Sequence, residues 1–498
     1  MATIAIIATL LSAGLYLGLG FFLGRKTRTL SDHLPIMANV GKAHVHSTSE
    51  FSACTVATTI SLATVVLAFF ELAPYFGLWL LWPVLTTALG LIVARLFARR
   101  IWQRMSVYGA NRPTLHGFLA KEYDSQALGK IAATCTSLGF LGAFAVELTV
   151  GSKFLGSLIP QIPVWVTVVG LALVGLTYTA VGGFRVVVVT DRVQMWSIWV
   201  LLCALGIAYQ LYADETGGWS NTLDKLPVEI KNLSWREGLG PFLLGIFVIN
   251  VPTFVSDMSV WQRIAGSRKM GTVFRGLWRS VGGAATTWTL LVFFACLVPA
   301  VTATAASDVN PLIALLRAFH DSIIPIKSFL MFVIVFGLFG AMFSTASTQL
   351  IALSHTVQMD LFGVIARNEE VEHGNKDVKF SRIIITVAAI AAMIIVGGLT
   401  ALGFSIADLV FAIYGAQLGL FPPVALALLA HNDWKRRFKS GCVVAVSVGF
   451  VVGWGLAIGG KVFGNDNLVF LAPVGSLVAS SIALVALPMF FKSSTTNK

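Results

Sequence analysis

Long apolar stretches recur along almost the entire chain, and they constrain its fold more than any other feature. Each is long enough for an α-helix to cross a bilayer, which takes roughly 20 residues. There are thirteen, with approximate limits 3–24, 50–70, 76–98, 131–155, 162–181, 186–212, 239–260, 276–302, 326–362, 380–403, 405–430, 440–463 and 467–491. Because 56% of the 498 residues are hydrophobic and only 12% are charged, no water-soluble surface is available. The sequence predicts an all-α polytopic membrane protein with 13 transmembrane helices, in one membrane domain spanning 1–498.

The 35 Lys and Arg residues are distributed unevenly between the loops that join these stretches. If the N-terminus lies outside, most of them fall on the inner side. This bias predicts an outside N-terminus and a cytoplasmic C-terminus, in the plasma (inner) membrane. The loops account for the net charge of +12, so we expect the lipid bilayer and no nucleic acid as a partner. The first stretch lacks a basic region before it, which favours a membrane span over a cleaved signal peptide.

Several kinds of site have no signal in the sequence. The five cysteines lie in apolar stretches without paired spacing, which disfavours a disulfide framework or a zinc site. No two of the eight histidines stand four residues apart within one stretch. Phosphate-loop, nucleophile-elbow and zinc-protease motifs do not occur. We therefore expect neither a nucleotide-driven pump nor an enzyme.

A run of small hydroxyl residues, 341–349, lies in the middle of the ninth stretch. At 3.6 residues per turn it forms two overlapping helix faces, Ala341 with Ser344, Thr345 and Thr348, and Ser344 with Ser347 and Thr348. Several uncharged oxygens on one face are suitable ligands for a hard cation. Small residues also allow two membrane helices to pack closely, with the hydroxyls bonding backbone carbonyls. Spacing alone leaves both interpretations open.

Among the acidic residues of the predicted spans, Glu71 and Asp408 lie near the outer ends of their spans, whereas Glu147, Asp191 and Asp257 are the candidates for burial in the membrane. A carboxylate in hydrocarbon costs several kcal/mol unless it is paired or lines a wet cavity, so each is a candidate functional residue. Structural alternatives exist as well. Asp191 has Arg192 beside it, Asp257 has Arg263 two turns on, and Glu147 has Lys153 as its nearest basic neighbour in sequence.

The segment 178–194 resembles the signature of the sodium:solute symporter family. It carries Tyr-Thr, Gly-Gly, Thr-Asp and Gln at the family's spacing, with Val186 where the family usually has Ala. Segments 114–119 and 261–263 also agree with the family, and 344–350 is most similar to its sodium/proline symporter branch. The resemblance covers essentially the whole chain.

This resemblance implies an inverted repeat of five plus five helices, with the first helix of each repeat broken at the midplane. The implied parts are an extra first span with its inner loop, repeat one, an outer loop, repeat two, and two additional spans. Their limits here are 1–47, 48–212, 213–238, 239–431 and 432–498.

The resemblance also implies Na⁺ as the coupling ion and two places for it. The site called Na2 would use backbone carbonyls of Ala57, Ile60 and Ala341 with the hydroxyls of Ser344 and Thr345. A second sodium site, which some members have, maps onto Asp191, Ser344, Ser347 and Thr348. No other metal ion is implied.

The family's tolerance of many solutes leaves the substrate less defined. Our candidates for contact with it are Ser61, Thr64, Glu147, Asp257, Tyr414 and Gln417. The second span departs from the family because 61–71 contains no glycine, which suggests a small solute or a helix break at Thr58 and Thr59. The resemblance implies sodium-coupled symport of an amino acid or small carboxylate by alternating access, in a monomer. A membrane solute sensor with a transporter-like binding module is the alternative.

Overall fold

The computed structural model describes residues 1–25, 27, 29–35, 43–108, 112–302, 310–323, 326–363, 375–401 and 405–490. Within these ranges the chain is helical, and its extended pairing is limited to one isolated bridge between Val45 and Ser267. Several basic residues used to predict the orientation lie outside the described residues, namely Lys26, Arg28, Lys42, Arg367, Lys492 and Lys498.

The α-helices are numbered in chain order. They are α1 (Ala2–Gly24), α2 (Leu30–His33), α3 (Thr48–Thr59), α4 (Ala68–Phe76), α5 (Leu81–Ser106), α6 (Leu115–Glu122), α7 (Gln126–Leu158), α8 (Val164–Glu215), α9 (Trp219–Asp224), α10 (Val228–Lys231), α11 (Leu239–Ser256), α12 (Met258–Ala265), α13 (Met270–Val301), α14 (Pro311–Asp321), α15 (Lys327–Thr356), α16 (Asn375–Ala401), α17 (Ile406–Gln417), α18 (Phe421–Leu429), α19 (Asn432–Val462) and α20 (Asp466–Phe490). Short π-helical segments follow α3 and α15, at Leu62–Leu67 and Val357–Leu361, and 3₁₀ turns occupy Gly77–Leu80 and Leu418–Leu420.

Eleven helical stretches in the described ranges are long and apolar enough to cross a membrane. Two of them exceed a single crossing, with 45 residues in Leu62–Ser106 and 52 in Val164–Glu215. A helix of 52 residues is about 78 Å long, whereas the hydrocarbon core is about 30 Å thick. Each of the two contains a glycine with positive φ, Gly77 (φ 53°) and Gly183 (φ 65°), where the backbone leaves the helical path. The eleven stretches therefore provide more helix than eleven crossings need.

Two membrane segments are interrupted near their middle. The first is the passage from α3 to the π-helical segment, where Ile60 (φ −111°, ψ 74°) and Ser61 (φ −73°, ψ 143°) are not helical. The second is the junction of α11 and α12 at Asp257 (φ −85°, ψ 119°). The backbone φ is negative at Ile60, Ser61 and Asp257, so neither break requires a glycine. The interruption lies after Thr59, one residue beyond the alternative position at Thr58 and Thr59.

Several inter-span segments meet at one end of the molecule, which we call the basic side and define by Arg104, Arg268 and Lys435. Glu122 of α6 forms ion pairs with Arg104 at the end of α5 (3.6 Å) and with Lys435 at the start of α19. The Arg268 amide donates to the Val45 carbonyl (3.1 Å), which joins the segments before α3 and after α12. These contacts join the α5–α6 region to the start of α19, and the segment before α3 to the segment after α12.

Helix α15 forms the centre of the molecule. Every residue from 337 to 356 is buried, and the helix contacts α1, α3, α7, α8 and α16. Close packing on α8 requires Gly340, where a Cβ atom would lie 2.2 Å from the Ser197 hydroxyl oxygen. Helices α8 and α15 therefore pack closely at Gly340, directly before the hydroxyl run 341–349.

Candidate ion and solute site

Asp191 of α8 lies against the hydroxyl run of α15. The Ser344 hydroxyl donates to an Asp191 carboxylate oxygen at 2.7 Å, and both side chains are buried. Arg192 forms its ion pair with Glu50 instead (3.6 Å). The alternative that Asp191 pairs with its sequence neighbour therefore fails, and the carboxylate is directed towards α15.

The other hydroxyls of the run differ in what they bond. Thr345 donates to the Ala341 carbonyl over a long 3.4 Å, and Ser347 donates to the Ser344 carbonyl at 3.1 Å. The buried Thr348 hydroxyl has no hydrogen-bond partner among the residues that the structure describes. A buried hydroxyl without a partner costs free energy. This face of α15 therefore retains oxygen lone pairs that a cation can use.

The two remaining carbonyls assigned to the Na2 site belong to the end of α3. Ala57 lies in its last turn, and Ile60 is the first non-helical residue after it. The last carbonyls of a helix lack their regular partners, and here the Ala57 carbonyl accepts a short turn bond from the Ile60 amide (3.2 Å). Since α15 contacts both α3 and the segment after the break, all five residues of this predicted site come from neighbouring elements.

A cavity of about 150 Å³ lies between these elements. Three of the predicted solute residues line it, namely Thr64, Asp257 and Tyr414. Thr345 and Thr348 of α15 line it as well, so the hydroxyl run 341–349 forms part of the cavity wall. Ser61, Glu147 and Gln417 are not among the lining residues.

Glu147 holds the broken helix that begins after Ile60. The Ser61 hydroxyl donates to Glu147 Oε1, and the Ala63 amide lies 3.4 Å from Oε2. Ser61 also accepts from the Thr64 amide at 2.8 Å, as an N-cap does. A carboxylate at the start of a helical segment is favourably placed with respect to its dipole. Glu147 and Ser61 therefore form a structural pair, and Lys153 is not the partner of Glu147.

Gln417 is held by packing against α7, and Asp257 by a hydrogen bond at the start of α12. The Gln417 side chain packs on α7 at Gly139, where a Cβ atom would come within 1.9 Å of its amide nitrogen. Asp257 accepts from the Ser259 amide at 2.7 Å and so caps α12 while also lining the cavity. Its carboxylate therefore stabilises the start of α12, directly after the break between α11 and α12.

Arg263 is the residue that sequence reasoning placed least well. It lines the cavity, is only 4% exposed, and its Nη2 donates to the Thr58 hydroxyl at 2.7 Å. This bond joins α12 to α3, the two helices that precede or follow a break on the basic side. The sequence places Arg263 just after the seventh apolar stretch, in the family-like segment 261–263 and as an alternative partner of Asp257, and it gives no signal that the side chain enters a cavity.

Aromatic contacts lie on the side of the cavity away from the basic side. Trp288 lines the cavity and meets Phe69 edge to face at 5.3 Å between ring centroids. Farther along α4, Phe76 stacks on Phe242 at 4.2 Å. Apolar rings therefore border the cavity on this side.

A second buried network supports α15 at the basic side. His116 Nδ1 lies 2.9 Å from Asp360, and its Nε2 lies 2.9 Å from the Thr136 hydroxyl. The Thr114 hydroxyl donates to the same carboxylate at 2.5 Å. The segment 114–119, singled out in the sequence, thus anchors the end of α15.

Interrupted membrane helices around a cavity that polar and apolar side chains line together are typical of a secondary active transporter, since such breaks are where transporters bind ions and solutes. The sodium:solute symporter family model matches residues 56–449, and the chain belongs to this family. It is accordingly a sodium-coupled transporter and not an enzyme. A search of curated protein sequences found no match.

Solved structures share the fold at low sequence identity. A substrate-bound, outward-open Na⁺-coupled sialic acid symporter superposes with a TM-score of 0.75 and 17% identity, covering 99% of both chains. A second structure is Mhp1, a nucleobase-cation-symport-1 family transporter in a closed conformation with bromovinylhydantoin bound. It superposes with a TM-score of 0.55 and 14% identity, covering 94% of this chain and 97% of Mhp1. A manganese transporter from Eremococcus coleocola superposes with a TM-score of 0.52 and 14% identity, covering 88% of this chain and 94% of the transporter. At these identities the likeness concerns the fold alone.

Proposed function

We propose that the protein moves a small organic solute with a carboxylate group, an amino acid or small carboxylate, together with sodium. The observation that carries this proposal is the cavity, which presents the buried guanidinium of Arg263 beside a wall of hydroxyls. Guanidinium groups bind carboxylates through paired hydrogen bonds. The carboxylate of Asp257 lines the same cavity, which suits the ammonium group of an amino acid. The volume of about 150 Å³ favours a small solute.

Sodium is proposed to bind at Na2, formed by Ala57, Ile60, Ala341, Ser344 and Thr345. A second ion is proposed at Asp191, Ser344, Ser347 and Thr348. The bond between Ser344 and Asp191 and the unpartnered Thr348 hydroxyl support this arrangement. Because Ser344 belongs to both sites, an ion at one changes the ligands of the other.

The energy of one ion is sufficient for uptake. Entry down a tenfold sodium gradient releases about 1.4 kcal/mol, and crossing ~100 mV adds about 2.3 kcal/mol. One ion therefore sustains roughly 500-fold accumulation of a neutral solute. Two ions would sustain the square of this ratio.

The proposed topology has thirteen crossings. The turns at Gly77 and Gly183 divide the two longest stretches where the sequence predicts separate spans, which supports this number. The breaks at Ile60 and Asp257 fall in the first helices of the two proposed repeats, 48–212 and 239–431. The basic side is proposed to face the cytoplasm from the plasma membrane, in a protein that works as a monomer.

Reconstitution into liposomes tests the function. Candidate solutes are first screened by thermal stability of the purified protein, since a true substrate stabilises more when sodium is present. Amino acids and small carboxylates are compared with sugars of similar size. Uptake of the selected solute is then measured with an inward sodium gradient and with potassium in its place. Solute binding without sodium-driven uptake would contradict transport and favour the sensor.

A further inference from the structure

A polar groove of about 460 Å³ lies at the basic side, away from the solute cavity. One wall is the end of α5, which contributes Arg100, Gln103 and Arg104. These positions are three and four residues apart and therefore share a helix face. The other wall is the turn from α18 to α19, with Leu429, His431 and Asn432.

The charges around the groove leave it positive. Arg104 lies 3.6 Å from Glu122, but Glu122 already forms an ion pair with the buried Lys435. Arg100 forms no hydrogen bond or ion pair within the described part of the chain. The residues that line the groove include no Asp or Glu. Asp433, in the first turn of α19, is nearby in sequence but does not line it. Of the two arginines, only Arg104 lies near a carboxylate in the described part of the chain, and that carboxylate, of Glu122, already pairs with Lys435.

The groove continues into an apolar outer surface. Leu96 lies one turn before Arg100 on the same face of α5 and is 64% exposed, and Leu429 in the opposite wall is 54% exposed. Trp434, one turn into α19, is also exposed, as tryptophans are at the membrane interface. Exposed leucines on a membrane protein contact acyl chains. Cationic side chains therefore lie directly above a lipid-facing surface.

We propose that this groove binds the headgroup phosphate of an anionic phospholipid, with its acyl chains on Leu96 and Leu429. Basic pockets between helices on the inner side of a membrane are suited to such headgroups. The apolar wall favours a lipid over free phosphate, because a free phosphate ion gains nothing from exposed leucines. This inference does not depend on the solute or on the sodium sites.

The full-length protein, purified in detergent, is titrated with phosphatidylglycerol, with phosphatidylcholine and with inorganic phosphate, and its thermal stability is recorded. Wild type should be stabilised by phosphatidylglycerol and far less by the other two. Arg100→Gln should raise the phosphatidylglycerol concentration for half-maximal stabilisation about fivefold. Because Arg100 has no partner within the described chain, its replacement should leave stability without lipid unchanged.

The matched control is Arg99→Gln, which removes the same charge from the neighbouring exposed residue of α5 that does not line the groove. It should leave the phosphatidylglycerol titration unchanged. Equal effects of the two variants would show unspecific attraction to a positive surface and overturn the proposal. Equal stabilisation by the two lipids would also overturn it. Stabilisation by inorganic phosphate at the same concentration as phosphatidylglycerol would identify free phosphate as the ligand, against the proposal.

Discussion

The Ser344 hydroxyl donates to the Asp191 carboxylate over 2.7 Å, across the contact between α15 and α8. Both residues are buried, and the neighbouring Thr348 is one of the residues that line the cavity. An ion at this contact would therefore bind within one helical turn of the cavity wall. Solute and ion would then stabilise each other's binding by the same factor.

Ser344→Ala removes a hydroxyl that both proposed sodium sites use. We expect the sodium concentration for half-maximal uptake to rise about tenfold, since a bond to a charged group contributes about 1.5 kcal/mol or more. Uptake is measured in proteoliposomes at increasing sodium. The control is Ser354→Ala, which removes a buried hydroxyl of the same helix that bonds Ser381 (2.7 Å) instead. Unchanged sodium dependence in Ser344→Ala would reject both site assignments.

Asp191→Asn removes the charge of the second proposed site and replaces none of the five proposed Na2 ligands. The number of sodium ions carried per solute should fall from two to one. The ratio is obtained from the membrane potential at which net solute flux reverses in proteoliposomes. Asp360→Asn is the control, because this carboxylate bonds His116 and Thr114 at the basic side. An unaltered ratio in Asp191→Asn would eliminate the second site.

Arg263→Gln tests the solute class. If the guanidinium binds a carboxylate, the KM for the transported solute should rise at least about tenfold, because a paired, charge-assisted bond is lost. The uncharged amide of the same solute should be far less affected. Arg112→Gln provides the comparison, since Arg112 donates to the Ile264 and Ala265 carbonyls and does not line the cavity. Equal changes for acid and amide would argue against a carboxylate at Arg263.

Glu147→Ala distinguishes a structural role from solute contact. The change leaves the Ser61 hydroxyl and the Ala63 amide without their acceptor, at a cost of about 1–3 kcal/mol for each buried group. The unfolding temperature in detergent should fall clearly, and Glu147→Gln should recover most of it. The KM of the Gln variant should stay close to that of wild type. A large rise in KM with unchanged stability would return Glu147 to the solute site.

The sequence by itself determined the class of fold and the helix that carries the hydroxyl face. Membrane insertion depends on the summed hydrophobicity of consecutive residues, so membrane spans can be identified without a structure. The same holds for the hydroxyl face of 341–349, since helical periodicity fixes which residues of one helix share a side. The signature at 178–194 likewise pointed to the family that the family model then showed.

Tertiary structure decided which partner each polar side chain meets. Asp191 neighbours Arg192 in sequence but bonds Ser344, 153 residues away. Glu147 serves the helix break, and Arg263 enters the cavity to bond Thr58, 205 residues away. The break after Ile60 carries no glycine signal, because its φ is negative. These choices depend on how each helix is rotated and packed against others, and that information is spread over contacts distant in sequence.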